Sequence, residues 1–140
     1  MEHVHEPKLV FEKLYKSAKH GGTMVISVPN ISCLQFLLFG KYWYPLQLPT
    51  HLFHYDKSTI SKLATDTGWR VDSVVYQRIL DDVFLSFGLF LKANGLTRLS
   101  DSIMSFTRGS LLFRMLLYPL ASLFAFFGQT SRMTVTLRKI

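Results

Sequence analysis

The stretch Gly21-Gly22-Thr23-Met24-Val25-Ile26-Ser27-Val28-Pro29-Asn30 decides the fold class. Its short, nearly continuous apolar run, opened by a glycine pair and closed by Pro29-Asn30, is the pattern of a strand buried on both faces of a parallel sheet. Upstream, Glu6-Pro7 opens a helix, because proline suits the first turn, where its missing N–H would be unpaired anyway. Phe11, Leu14, Tyr15 and Ala18 recur at helical spacing while Lys8, Lys13, Lys16 and Lys19 point elsewhere. Gly21-Gly22 is expected to stop that helix. Helix, glycine turn and buried strand make half of an α/β unit.

Downstream the alternation repeats. Residues 31–55 read as a long, aromatic, irregular loop containing Tyr42-Trp43-Tyr44 and His51-Leu52-Phe53-His54, and a loop of that length in a compact domain is usually functional. Asp56 can cap a helix whose face is Ile60, Leu63, Ala64 and Thr67, ended by Gly68. Trp69–Tyr76 then reads as a strand with Trp69, Val71 and Val75 on one side and Arg70 and Asp72 on the other. Residues 80–128 hold eight of the twelve phenylalanines and read as two or three very apolar helices. The 17 residues of 111–127 make about 25 Å of helix against a bilayer core of roughly 30 Å and contain Arg114 and Pro119. A buried helix is the expectation there, ahead of a lid, an interfacial helix or a span. Met133, Val135 and Leu137 alternate with Thr134, Thr136 and Arg138 in a final one-faced strand. The chain thus divides into 1–79 with 129–140, and an apolar helical insertion or lid over 80–128.

Composition narrows the function. With 140 residues, 49% hydrophobic and 18% charged, the chain is neither disordered nor a disulfide miniprotein. The net charge of +7 is spread out: residues 1–79 hold nine Lys/Arg and six Asp/Glu, and residues 80–140 hold seven and three. No stretch is dense enough in basic residues to track phosphates, so nucleic acid is not an expected partner. Cys33 stands alone, which suits a reducing compartment and a small buried residue rather than a nucleophile. Acids at the N-terminus leave no export signal, and a cytoplasmic, membrane-associated or membrane-free location is expected.

Particular residues attract chemistry. Asn30 follows the strand at the carboxyl edge where open α/β sheets bind ligands, making it a pocket candidate. Tyr42 and Trp43 can wall an apolar substrate pocket or anchor a core. His3-x-His5 and His51-x-x-His54 have zinc-like spacing, but no local rule brings the two pairs together, so no metal site is expected.

The order of these signals resembles a family. Glu2-His3-Val4-His5-Glu6-Pro7, a helix, His20-Gly21-Gly22-Thr23, the strand to Pro29-Asn30, His51-Leu52-Phe53-His54-Tyr55 and Gly68-Trp69-Arg70-Val71 resemble the C-terminal half of a class I S-adenosylmethionine-dependent methyltransferase. The group including quinone-biosynthesis methyltransferases is the most similar. The resemblance covers residues 1 to about 77, with Met133–Lys139 resembling the last strand. It implies an incomplete Rossmann-like α/β fold of about three strands. Met24–Val28, Arg70–Tyr76 and Met133–Lys139 would be the fifth, sixth and seventh, the last antiparallel and slotted between the other two.

The resemblance also assigns roles. Glu2 and His3 match an acidic-His pair beside the reacting end of the cofactor, S-adenosylmethionine, a pair that in some quinone methyltransferases contributes to a metal site. His51 and His54 match a His-Leu-x-His stretch covering the substrate side of the cleft, where a neutral imidazole either takes the acceptor's proton or holds the loop. The implied reaction is displacement at the sulfonium methyl by a small-molecule or lipid-like acceptor. Three strands of the family fold, with their glycine-rich cofactor turn, have no counterpart, since Gly21-Gly22 follows a helix and precedes a strand. Cofactor binding by these residues alone is therefore not expected. The competing expectation is a noncatalytic membrane-associated or partner-binding fragment.

Overall fold

The computed structural model describes residues 1–140. Its elements run α1 (Pro7–Ser17), β1 (Thr23–Pro29), α2 (Leu34–Phe39), α3 (Lys57–Asp66), β2 (Trp69–Tyr76), α4 (Asp81–Ala93), α5 (Thr97–Gly109), α6 (Leu111–Phe126) and β3 (Arg132–Lys139), with single 3₁₀ turns at Gly40–Tyr42 and Tyr44–Leu46.

The alternation in the last strand settles the sheet. Met133, Val135 and Leu137 are all fully buried, and a strand with one wholly apolar face gains most as the centre of a sheet. The strand order is β1-β3-β2, and β3 runs antiparallel to both neighbours, so β1 and β2 are mutually parallel. Val135 lies opposite Ile26 on one side and Val74 on the other. Phe11 of α1 and Ile60 and Ala64 of α3 cover this face, joined by Val28, Tyr55 and Trp69. Trp69 Nε1 donates to the Phe11 carbonyl at 3.1 Å, tying β2 to α1. Asp56 caps α3 as expected, its carboxylate accepting from the Thr59 amide at 2.7 Å while Thr59 Oγ1 accepts from the Asp56 amide.

Several expectations are corrected. β1 is not buried on both faces: Val25 is 62% exposed and no helix of the chain covers that side. The outer edge of β1 has no strand partner either, apart from an isolated parallel bridge between Asn30 and Tyr55. Val75 does not join Trp69 and Val71. A bulge at Asp72 puts one extra residue into β2, so Val74 and Tyr76 turn to the core and Val75 is 58% exposed.

Gly21-Gly22 does not stop α1 directly, because the helix ends at Ser17 and Leu14 is largely exposed. Lys139 Nζ reaches the end of α1 instead, donating to the Tyr15 and Ala18 carbonyls at 2.7 and 2.9 Å. The glycine turn meanwhile extends the pairing of β1 with β3: the Gly21 amide donates to the Lys139 carbonyl and the Lys139 amide to the Gly22 carbonyl.

The irregular loop is also only partly irregular, since Leu34–Phe39 form a helical turn and a half. Three helices lie between β2 and β3, of which α4 and α6 are apolar while α5 is mixed, and α6 is not the buried helix expected: Ala121 alone is buried. No single helix is long and apolar enough to cross a membrane.

Candidate functional site

Segment 51–55 assembles the site. At one end the Leu52 and Phe53 amides donate to the Glu2 carbonyl, at 2.7 and 3.3 Å. At the other, Tyr55 bridges to Asn30 and accepts from the Ile31 amide at 2.9 Å, just beyond the carboxyl end of β1. The N-terminal residues are thereby carried to the strand end where open α/β sheets place ligands.

Glu2, His3 and His51 converge there. One donor atom from each lies within 4.8 Å of the others, and the two imidazoles pack edge to face with centroids 4.6 Å apart. A carbonyl oxygen only accepts, so each imidazole nitrogen facing one must carry hydrogen. His3 Nδ1 donates to the Thr50 carbonyl at 3.1 Å and His51 Nδ1 to the Pro45 carbonyl at 2.7 Å. A neutral imidazole bonded in this way keeps its lone pair on Nε2. His3 Nε2 stands 3.8 Å from the Glu2 carboxylate. Burial pushes the His51 pKa below its ordinary value, outweighing its bond to Pro45 and the Glu2 charge, so the ring is neutral near pH 7. Burial displaces the Glu2 carboxyl upward, against a hydrogen bond from its own backbone amide and the influence of His3, which lower it. Two imidazoles with fixed tautomers and one carboxylate can pass a proton or hold a divalent cation such as zinc, whose histidine ligands commonly donate their other N–H to a carbonyl. The sequence reading without a metal site is thus met by a donor set that no local spacing shows. His5 and His54 stand outside that set.

The other candidates separate. His54 Nε2 donates to the Leu46 carbonyl at 3.0 Å and its ring lies 6.2 Å from that of His51, so it braces the loop beside the site. Asn30 is fully buried. Its Nδ2 donates to the Gly128 and Thr130 carbonyls, both at 3.0 Å, and its Oδ1 accepts from Ser32. It clamps the end of β1 to the entry of β3 and leaves no polar atom for a pocket. Trp43 is buried against Phe36 as a core anchor, while Tyr42 packs edge-on to Phe90 of α4. Neither belongs to the histidine cluster. Cys33 is buried, and burial raises its thiol pKa, as expected of an inert small residue.

A second concavity escapes sequence reasoning. Between the end of β2 and helices α4, α5 and α6 lies a cleft of about 430 Å³ lined by Arg78, Arg108, Arg114 and Arg132 with Asp81 and Asp82. Arg114 pairs with Asp81 at 2.7 Å and Arg132 with Asp82 at 3.4 Å. Arg78 meets the Tyr118 hydroxyl at 2.6 Å and Arg108 lies beside Tyr44, so these two guanidiniums have no carboxylate partner. The four arginines are spread over residues 78–132, and no local motif announces them.

The residues present do not make a cradle for S-adenosylmethionine. The Gly21 amide is already bonded to Lys139, and a Cβ at Gly22 would meet the Lys19 carbonyl oxygen at 2.7 Å, so the glycine pair serves chain reversal.

An antiparallel strand held between two parallel ones, with α1 and α3 on one face and polar side chains gathered beyond a strand's carboxyl end, defines a partial Rossmann-like α/β fold. Residues 1–74, more than half of the chain, match the methyltransferase-domain family, and the chain belongs to it. Among solved structures, a Galdieria sulphuraria protein provisionally assigned as a sarcosine dimethylglycine methyltransferase is similar, with 15% identity and a TM-score of 0.48 over 98% of this chain. The match covers 49% of that protein, so this chain spans about half the length of the solved protein it matches. No curated protein matches it.

Proposed function

We propose that the chain forms the acceptor-facing part of an S-adenosylmethionine-dependent methyltransferase acting on a lipophilic acceptor, with the cofactor-gripping residues outside these 140. The observation that carries this is the convergence of Glu2, His3 and the buried His51, whose Nδ1–H is committed to the Pro45 carbonyl, in a chain of the methyltransferase-domain family. S-adenosylmethionine would supply the electrophilic methyl group when bound by residues outside these 140. His51 Nε2 receives the acceptor's proton, and Glu2 stabilises the resulting imidazolium. His54 holds the loop through Leu46. The low polarity of residues 80–128 suits an apolar acceptor.

The test is transfer of labelled methyl from S-adenosylmethionine to a lipid extract, using this chain joined to the segment encoded upstream of it. Label in the lipid fraction, falling about 10²-fold or more in His51→Ala, supports the reading. Label in no lipid or small-molecule fraction, or an unchanged His51→Ala variant, contradicts it.

A further inference from the structure

Helix α6 has two unlike faces, and only one is covered by the rest of the chain. Leu111, Leu112, Met115, Leu116, Leu123 and Phe126 are between 54% and 83% exposed. At about 100° per residue they fall in an arc of about 140°, which includes Pro119 and no charged side chain. The opposite side supplies Arg114, Leu117, Tyr118 and Ala121 to the arginine-lined cleft. Leu37 and Leu38 of α2, 79% and 69% exposed, continue the apolar surface across a groove that Leu38 shares with Leu120 and Phe124.

Charge and length say what covers such a face. Residues 102–140 contain five basic side chains and no acidic one, and the cleft behind α6 holds Arg78 and Arg108 without carboxylate partners. A second copy would bring the same positive charge to the same place. An anionic bilayer brings the complement, and an exposed apolar arc backed by basic residues on the opposite face is the pattern of a helix lying in a membrane interface. No single helix reaches across: the 16 residues of α6 make about 24 Å of helix against a hydrocarbon core of about 30 Å, and α5 meets α6 at an 82° bend rather than extending it.

We infer that the α5–α6 elbow docks this protein on an anionic phospholipid surface, with the apolar arc of α6 among the acyl chains and Arg78 and Arg108 at the level of the phosphates. This surface rests on α6 and its cleft alone and stands whether or not the histidine site transfers methyl groups.

Flotation of the purified chain with vesicles tests it. Phosphatidylcholine vesicles containing one-third phosphatidylglycerol should carry the chain upward, about tenfold more than phosphatidylcholine alone. The triple variant Leu112→Ser, Leu116→Ser, Phe126→Ser changes only exposed side chains and should abolish flotation with the circular dichroism spectrum retained. Arg78→Gln with Arg108→Gln should remove the preference for anionic vesicles. Inorganic phosphate at equal ionic strength should compete no better than chloride. In a separate variant, Phe126→Trp, the fluorescence of the introduced indole should be quenched by lipids brominated on their acyl chains. A chain that stays at the bottom of the gradient, a triple variant that floats like the parent, an unquenched indole in the Phe126→Trp variant, or a sedimenting dimer dispersed by the triple substitution would each overturn the inference.

Discussion

Leu137→Ala removes three carbons from the centre of the sheet. Leu137 is fully buried on β3, opposite Met24 of β1 and Val71 of β2. Losing the transfer free energy of those carbons costs about 2 kcal/mol at about 0.8 kcal/mol per methylene. Hydrogen-bonded strands on both sides hold the backbone apart, so the cavity cannot close, and its contribution brings the total to about 3–4 kcal/mol. The same kind of truncation on the open face of β1, Val25→Ala at 62% exposure, should cost under about 0.5 kcal/mol. Urea unfolding followed by far-ultraviolet circular dichroism measures both. With a slope of about 1.5 kcal/mol/M, the Leu137→Ala midpoint should fall by about 2 M while the slope is retained. A loss below about 1 kcal/mol, or equal losses for the two variants, would refute the placement of β3 as the buried central strand.

Other outcomes follow from single contacts. Asp56→Ala removes the α3 cap and should cost about 1 kcal/mol in the same assay. Bonds from Thr59 and Ser58 hold the Asp56 carboxyl below its ordinary value, so its contribution is complete above the unfolded pKa near 3.8 and is lost as pH falls through the lower folded value. His51 is a base with a lowered pKa; the unfolded chain therefore binds its proton first, and stability should drop as pH falls from about 6.5 toward the folded value. A proton NMR titration should place its midpoint below that of a free imidazole, and His51→Gln should flatten this part of the stability profile. Gly68→Ala should destabilise by more than about 1 kcal/mol, because φ is +88° and a Cβ would press on the Tyr15 ring at 3.0 Å. Gly109→Ala, in open space at the end of α5, should stabilise by up to about 1 kcal/mol in thermal unfolding.

The parts legible in the sequence were those set by local pattern. Alternation through Met133, Val135 and Leu137 marks a one-faced strand, and Asp56 ahead of the face of Ile60, Leu63 and Ala64 marks a helix start. Their correspondence with the family order also placed the last strand between the other two. The parts missed were set by tertiary partners. Nothing around Asp72 announces a bulge, yet one extra residue turns Val75 outward and Val74 inward. Leu34-Gln35-Phe36-Leu37-Leu38-Phe39 lacks a polar period, because Gln35 is buried while Leu37 and Leu38 face outward. In α6 the apolar composition predicts burial, but the chain offers cover only for the side carrying Leu117 and Ala121. The histidine cluster was half legible: Glu2-His3 and His51 stand out by type, whereas their meeting depends on Leu52 bonding to Glu2 across about fifty residues of chain.

Calorimetric titration of the 140-residue chain with S-adenosylmethionine addresses the central claim most directly. A chain that carries the acceptor side and β1–β3 but no cofactor cradle should give no heat beyond dilution, and should gain it once joined to a segment bearing a strand followed by a glycine-rich turn. Micromolar binding by the 140 residues alone would contradict the account.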